Sequence, residues 1–270
     1  MGKGFDCATP LTLAKAREFV TSGFTFVCRY LAPTGSWKRL TAVEANNITE
    51  AGLWIVSVFE RGADNALAGA AQGTEDGRLA LQYAKEIGQP EGSVIYAAVD
   101  TDVNSSHYAA VEAYLRAFDA QIDGYELGVY GEYEICKAMR DRGVVSKVWQ
   151  TRAWSQGRVI ENYNIYQHDL GATGLGFEKN GMLIDEDLSN GDAGGWKIGM
   201  AIKKEGTDNM PMKLEQWQWG MLYEVMGKAY NADQLNWNWM QKIVDKTLTA
   251  AELAFLNTVL DGRIDRKIEV

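Results

Sequence analysis

The stretch at residues 94–102, Val-Ile-Tyr-Ala-Ala-Val-Asp-Thr-Asp, most constrains the fold, because it is an unbroken apolar run that stops abruptly at two acids. A strand with no polar alternation is buried on both faces, which places it in a parallel sheet covered by helices. Side chains repeat every second residue along a strand, so Asp100 and Asp102 should leave its C-terminal end in the same direction. In a barrel, that end carries the chemistry. A lone Asp there more often caps the next helix. Two at this spacing, with matching acids on other strands, point to a site.

The same strand-then-helix unit recurs along the chain. Residues 2–7 form a first strand delivering Asp6, and Thr9-Pro10 supplies a cap and a first helical proline. Residues 24–31 and 53–60 are β-branched and aromatic, and the second run ends in Glu60. Thr41 and Glu44 make a capping box between them. Residues 61–73 read as a loop, Thr74 as the cap of a helix to Ile87, and Ser105 or Ser106 as the cap of the next. Further strands fall at 125–130, 144–150, 162–168 and 181–188, the last repeating the double acid with Asp185 and Asp187. Alternation through the first five units predicts a parallel α/β architecture, a (β/α)8 TIM-like barrel that is degenerate on the side of strands six to eight. An open doubly wound sheet competes, but the chain has no G-x-G-x-x-G after its first strand and no P-loop.

Composition changes after Gly194-Gly195, and the last 60 or so residues pattern as helices rich in Trp and Met. Pro211 and Asp233 read as helix starts, and Thr249 to Glu252 as a capping box. The expected division is therefore a barrel over residues 1–200 and a helical module over 208–270. A module this small is near the limit of independent folding, which suits self-association or packing on another surface.

Of 270 residues, 36 are Asp or Glu and 27 Lys or Arg, and the resulting net charge of -9 argues against a nucleic-acid groove. Three cysteines without C-x-x-C spacing read as buried thiols rather than a disulfide framework. No basic segment followed by an apolar one opens the chain, and no apolar run is long enough to span a bilayer, so the expectation is cytoplasmic synthesis without a signal peptide and no membrane insertion.

If the barrel closes, Asp6, Glu60, Asp100, Asp102, Asp185 and Asp187 converge on one mouth. Glycoside hydrolysis needs such a set, with one carboxyl protonated to serve the leaving oxygen and another ionised. Crowded like charges keep the proton on one member. Tyr30, Tyr130, Trp149, Trp154, Tyr166 and Gln167 offer ring faces and hydrogen bonds for a sugar, although any one of them could be a core residue. Arg29 could bind substrate or neutralise an acid. No cofactor is expected. The two histidines, His107 and His168, are too few for a zinc hydrolase, and nothing favours a Cys7–His168 pair. An acidic cluster can also hold Ca²⁺ or Mg²⁺, a minor alternative to no metal at all.

Several short motifs occur in order: G-F-D at residues 4–6, R-Y-L at 29–31, L-T-x-x-E at 40–44, A-V-D-T-D at 98–102, G-V-Y-G at 128–131 and Y-Q at 166–167. Together they resemble the glycoside-hydrolase-like TIM-barrel domains of bacterial cell-wall proteins and phage endolysins, which are distantly similar to family 25 lysozymes. The resemblance covers roughly residues 2–195. It implies a muramidase-like enzyme that cleaves the glycan strands of peptidoglycan and acts at the cell wall after release. Asp6, Asp100 and Asp185 match the first-, fourth- and last-strand acids of that site. Asp102 stands where those lysozymes carry the Glu of an Asp-x-Glu pair, one methylene longer. The general acid is then Asp102 or Glu60, with Asp100 and Asp6 stabilising charge and Arg29, Tyr30, Tyr130, Trp149, Gln167 and Asp187 binding substrate. The alternative is a non-catalytic glycan-binding or wall-assembly protein that keeps the barrel. The C-terminal helices lie outside the resemblance, as a wall-binding or homo-oligomerising element.

Overall fold

The computed structural model describes residues 2–200 and 211–264. The chain falls into two compact units, Met1–Ile202 and Lys203–Val270.

The first unit is a closed barrel. Its strands are β1 (Gly2–Asp6), β2 (Phe26–Leu31), β3 (Trp54–Phe59), β4 (Val94–Ala98), β5 (Glu126–Gly131), β6 (Lys147–Thr151), β7 (Ile165–Asp169) and β9 (Met182–Ser189), hydrogen-bonded in that order, with β9 closing on β1. A short β8 (Phe177–Lys179) pairs with β9 outside the ring. Helices α1 (Leu13–Thr21), α2 (Ala42–Ala51), α3 (Ala70–Ile87), α4 (Tyr108–Asp119) and α5 (Tyr133–Asp141) follow the first five strands. Beyond β6 the connections are irregular. The loop after it is held instead by the buried Gln150 side chain, which donates to Arg158 O at 2.8 Å and accepts from Ile160 N at 2.8 Å.

The TIM-like barrel read from the sequence is the fold, thin on the expected side, with one departure. All pairings from β1 to β7 are parallel, but β9 runs antiparallel to both of its neighbours. A hairpin causes the reversal: Asn180 and Gly181, at φ 50° and 70°, turn β8 directly into β9.

Alternation along the strands divides the core in two. Phe26, Cys28, Val56, Val58, Val94, Tyr96, Ala98, Trp149 and Ile165 pack together inside the barrel. Phe5, Val27, Ile55, Ile95 and Val129 pack outward against the helices. Two glycines make room for the interior rings, since a Cβ at Gly4 would overlap the Phe26 ring and one at Gly128 would come within 2.5 Å of Tyr96.

Several local expectations shift for identifiable reasons. Thr12, not Thr9, caps α1, accepting from Lys15 N at 3.2 Å. Residues 61–73 are largely helical, as a 3₁₀ turn at Asn65–Ala68 and the first turn of α3. There Gly73 serves packing rather than flexibility: a Cβ would overlap the Tyr114 carbonyl of α4. Neither Ser105 nor Ser106 caps α4, because Asn104 takes the Ser106 N–H at 3.0 Å and His107 holds the cap position.

The second unit contains α6 (Gln216–Asn231), α7 (Trp237–Val244) and α8 (Ala250–Ile264) around Trp219, Met226, Met240, Ile243, Leu248 and Leu256. Helix α6 begins after Pro211, where Glu215 and Gln218 form a capping box, and α7 begins after Asp233, at an Asn236 cap position. Thr249 and Glu252 form the box read from the sequence, with bonds of 3.2 and 3.1 Å. Among the described residues no helix is long and apolar enough to cross a membrane.

Candidate active site at the barrel mouth

Interior-facing positions at the C-terminal ends of the parallel strands bring Asp6, Tyr30, Glu60, Asp100, Tyr130, Trp149 and Gln167 around one small cavity of about 30 Å³. A groove of about 190 Å³ adjoins it through Asp6 and Tyr30, and has Asp185 in its wall. A second groove of about 320 Å³ adjoins it through Glu60. The acids of the cavity therefore adjoin one groove through Asp6 and Tyr30 and another through Glu60.

Reversal of β9 changes what its two acids do. Asp185 pairs in register with Asp6 and so reaches the mouth, whereas Asp187 pairs with Gly4, one step deeper. Asp187 is fully buried, accepting from Trp149 Nε1 at 2.9 Å and facing Cys28 Sγ at 3.8 Å. It lies beneath the mouth, where a substrate cannot touch it.

Gln167 ties the mouth together. Its amide Nε2 donates to Asp6 at 2.7 Å and to Asp185 at 3.3 Å, and its Oε1 accepts from the Tyr130 hydroxyl at 2.9 Å. Even so, Asp6 is held well above the usual carboxylate range, first by burial and then by the charge of Asp185. Burial and the charge of Asp6 push Asp187 up as well. Asp185 is raised to about 6 by burial, with Asp169 and Asp100 adding to it. Burial and the Glu60 charge raise Asp100. Protons are thus retained in this cluster at pH values where isolated carboxyls have lost theirs.

Several of the residues singled out above are not in the cluster. Asp102 lies beyond the end of β4 and is exposed, lining neither the cavity nor the grooves. Arg29 points away from Tyr30, as neighbours on a strand must, and is fully buried. It donates to Glu44 of α2 at 2.8 Å and to the Cys7 carbonyl, so it ties β1, β2 and α2 together rather than binding a ligand. Trp154 and Tyr166 line neither the cavity nor the two grooves.

Lys38 has no signal in strand or helix periodicity, yet its ammonium lies 3.0 Å from Glu60 Oε2 and 4.5 Å from the centre of the Tyr30 ring. Trp37 beside it lines the Asp185 groove together with Leu175 and Leu183. Among the described residues no set of three or more His, Cys, Asp or Glu side chains is placed to hold a metal ion.

Residues 17–182 match the model of the Rv2525c-like, glycoside hydrolase-like domain. The uncharacterized proteins FadG and YbfG of Bacillus subtilis (strain 168) are 28% identical over 156 residues and 30% identical over 160. The matched stretches cover 53% and 52% of this chain but only 27% and 21% of those longer proteins. The Tat-secreted protein Rv2525c of Mycobacterium tuberculosis, solved with L-tartrate, shares the fold at a TM-score of 0.65 and 22% identity, over 72% of this chain and 98% of that one. The family match spans most of the barrel, and the chain belongs to the Rv2525c-like, glycoside hydrolase-like domain family.

Proposed function

We propose that the protein is a glycoside hydrolase of cell-wall glycans, peptidoglycan foremost, with Asp100 as proton donor and Glu60 as its ionised partner. The observation that carries this is the unlike setting of two carboxyls on one cavity. Asp100 is raised by burial and by the charge of Glu60, whereas Glu60 has the Lys38 ammonium at 3.0 Å. Glycosidic cleavage needs two such groups, one holding a proton and one holding charge. Asp100 replaces Asp102 in the acid role because Asp102 does not face the cavity. The grooves on either side suit a polymer held across the acids. Action at the cell wall after release fits this substrate.

A reducing-end assay on purified peptidoglycan tests the proposal. The protein should generate new reducing ends, and Asp100→Asn should lose about 100-fold or more, as removal of a general acid does. Wall clearing without new reducing ends would refute it.

The exposed position of Asp102 favours a second reading, a glycan-binding or wall-assembly protein without efficient chemistry. That reading expects the protein to sediment with walls and leave every glycosidic bond intact. In either case we assign wall binding or self-association to the C-terminal unit. Supporting it, α6 exposes Trp217, Met221 and Val225 at four-residue spacing, one apolar stripe on one helix face.

A further inference from the structure

Tyr130 carries one hydroxyl hydrogen and has two acceptors for it. Gln167 places both amide hydrogens on Asp6 and Asp185, at 2.7 and 3.3 Å, so its Oε1 is the atom that Tyr130 meets, and the hydroxyl donates to it at 2.9 Å. The second acceptor is the Asp100 carboxylate. Asp100 lines the same cavity as Tyr130 and Gln167, a space of about 30 Å³ with room for a single water. A hydrogen bond with Tyr130 lowers the pKa of Asp100 against burial and the Glu60 charge, which raise it. The other charged or titratable groups around the pair are Asp6, Tyr30, Glu60, Lys38 and Asp185. Tyr130 itself stays a phenol, because burial and then the charges of Asp100 and Asp6 push its hydroxyl well above the ordinary tyrosine value. A single hydroxyl hydrogen serves one acceptor well at a time, and an ionised carboxylate is a stronger acceptor than an amide oxygen. A protonated carboxyl instead offers a hydrogen of its own.

We propose that Tyr130 is a positioning residue for the proton donor Asp100, and that its hydroxyl turns from Gln167 to Asp100 when Asp100 gives up its proton. While Asp100 is protonated, its carboxyl donates to the Tyr130 oxygen and Tyr130 donates to Gln167. In the reaction the Asp100 proton passes to the leaving oxygen as the glycosidic C–O bond breaks, and the bonding pair stays with that oxygen. Water adds to the sugar carbon, and the proton it releases returns to the Asp100–Glu60 pair. The turn of the hydroxyl moves no proton between residues. Tyr130 keeps its O–H bond, and only the hydrogen bond passes from Gln167 Oε1 to the Asp100 carboxylate. The new charge on Asp100 therefore forms against a donor already in place. Asp6 and Asp185 hold the Gln167 amide, so its Oε1 remains to take the hydroxyl back once Asp100 regains a proton. The inference rests on the hydrolase reading above and deepens it by giving the proton donor a partner that answers to its charge.

The test is Tyr130→Phe in the full chain, which keeps the ring and its edge contact with Trp149, 4.8 Å between centres. On purified peptidoglycan, kcat for new reducing ends should fall about tenfold with KM little changed, the weight of one hydrogen bond to a charged group. The alkaline limb of kcat/KM should move to higher pH, because Asp100 loses the donor that favours its ionised form. A merely structural loss would lower the amount of active protein and leave that limb in place. Carbon NMR reads the same switch without turnover. In the wild type the Tyr130 Cζ resonance should shift with pH at the midpoint of the Asp100 carboxyl, Asp100→Asn should abolish that shift, and in Tyr130→Phe the Asp100 carboxyl should titrate higher. Should Tyr130→Phe fail to fold, the wild-type and Asp100→Asn spectra decide. A Tyr130 resonance indifferent to Asp100, an Asp100 titration unmoved in Tyr130→Phe, or an unmoved alkaline limb in that variant would overturn the proposal. The two readings fail separately. Reducing ends with an indifferent Tyr130 resonance remove the switch and leave the hydrolase, whereas a coupled resonance without reducing ends supports the switch and removes the hydrolase.

Discussion

Gln167 reaches from β7 to place its amide 2.7 Å from the Asp6 carboxylate on β1, joining two strands separated in the barrel by β9. That bond is a main restraint on the charge state of the mouth, because it lowers the pKa of Asp6 against burial and the Asp185 charge, which raise it.

Replacing Gln167 by Leu removes the donor and keeps most of the volume. The Asp6 carboxyl should then titrate higher than in the wild type, followed by carbon NMR of labelled aspartates. Stability should fall by about 1–3 kcal/mol in urea unfolding, the cost of a buried acceptor left without its partner. An unchanged Asp6 titration would show that Gln167 does not set its charge.

Asp185 makes stability depend on pH. Its carboxyl is near the usual carboxylate range when unfolded and about 6 when folded, so the folded state holds the proton more tightly. The corresponding stabilisation is complete below about pH 4, declines as pH rises through about 6, and is absent above. Two pKa units are worth about 3 kcal/mol undiscounted. Solvent contact at the groove reduces the expected effect to about 1 kcal/mol. Urea unfolding between those pH values should therefore show a falling stability that Asp185→Asn flattens. A variant with the wild-type slope would place the titration elsewhere.

Much of the barrel is legible in the sequence because period-two burial and strand-tip acids are local properties of the chain. Strand direction is not local. The double acid of β9 looks the same whichever way the strand runs, and only Asn180-Gly181, a hairpin signal, marks the reversal that carries Asp187 below the mouth. The same alternation separates Tyr30, which lines the mouth, from Arg29, which turns outward to Glu44. Lys38 and Trp37 leave no such trace, since they sit in a loop whose position depends on the strands it spans. Gly73 is ambiguous as letters, because a glycine that frees a loop and one that admits a helix read alike.

Gly73 gives the sharpest packing prediction. Ala there would gain about 1 kcal/mol of helix propensity, but its Cβ would meet the backbone carbonyl of Tyr114, which cannot rotate away. Gly73→Ala should therefore destabilise the barrel by about 3 kcal/mol net, the upper part of the usual overpacking cost. Thermal unfolding of the variant checks it, and a stabilised protein would mean that α3 and α4 are free to separate.

Lys38 links charge at the mouth to the rate of the proposed reaction. Its ammonium pairs with Glu60 and also lowers the pKa of Asp100, opposing the effects of burial and of Glu60. In Lys38→Met that opposition is gone, and the Asp100 carboxyl should hold its proton to higher pH. A proton donor must be protonated in the free enzyme, so the alkaline limb of kcat/KM against pH should move upward in the variant. Activity at the optimum should fall as well, because the Glu60 carboxylate loses the ion-pair partner that holds it in place. Asp102→Asn, altering an exposed carboxyl outside the cavity, should leave both the limb and the optimum in place. An alkaline limb that shifts in Asp102→Asn but not in Lys38→Met would return the acid role to Asp102 and detach Lys38 from the chemistry.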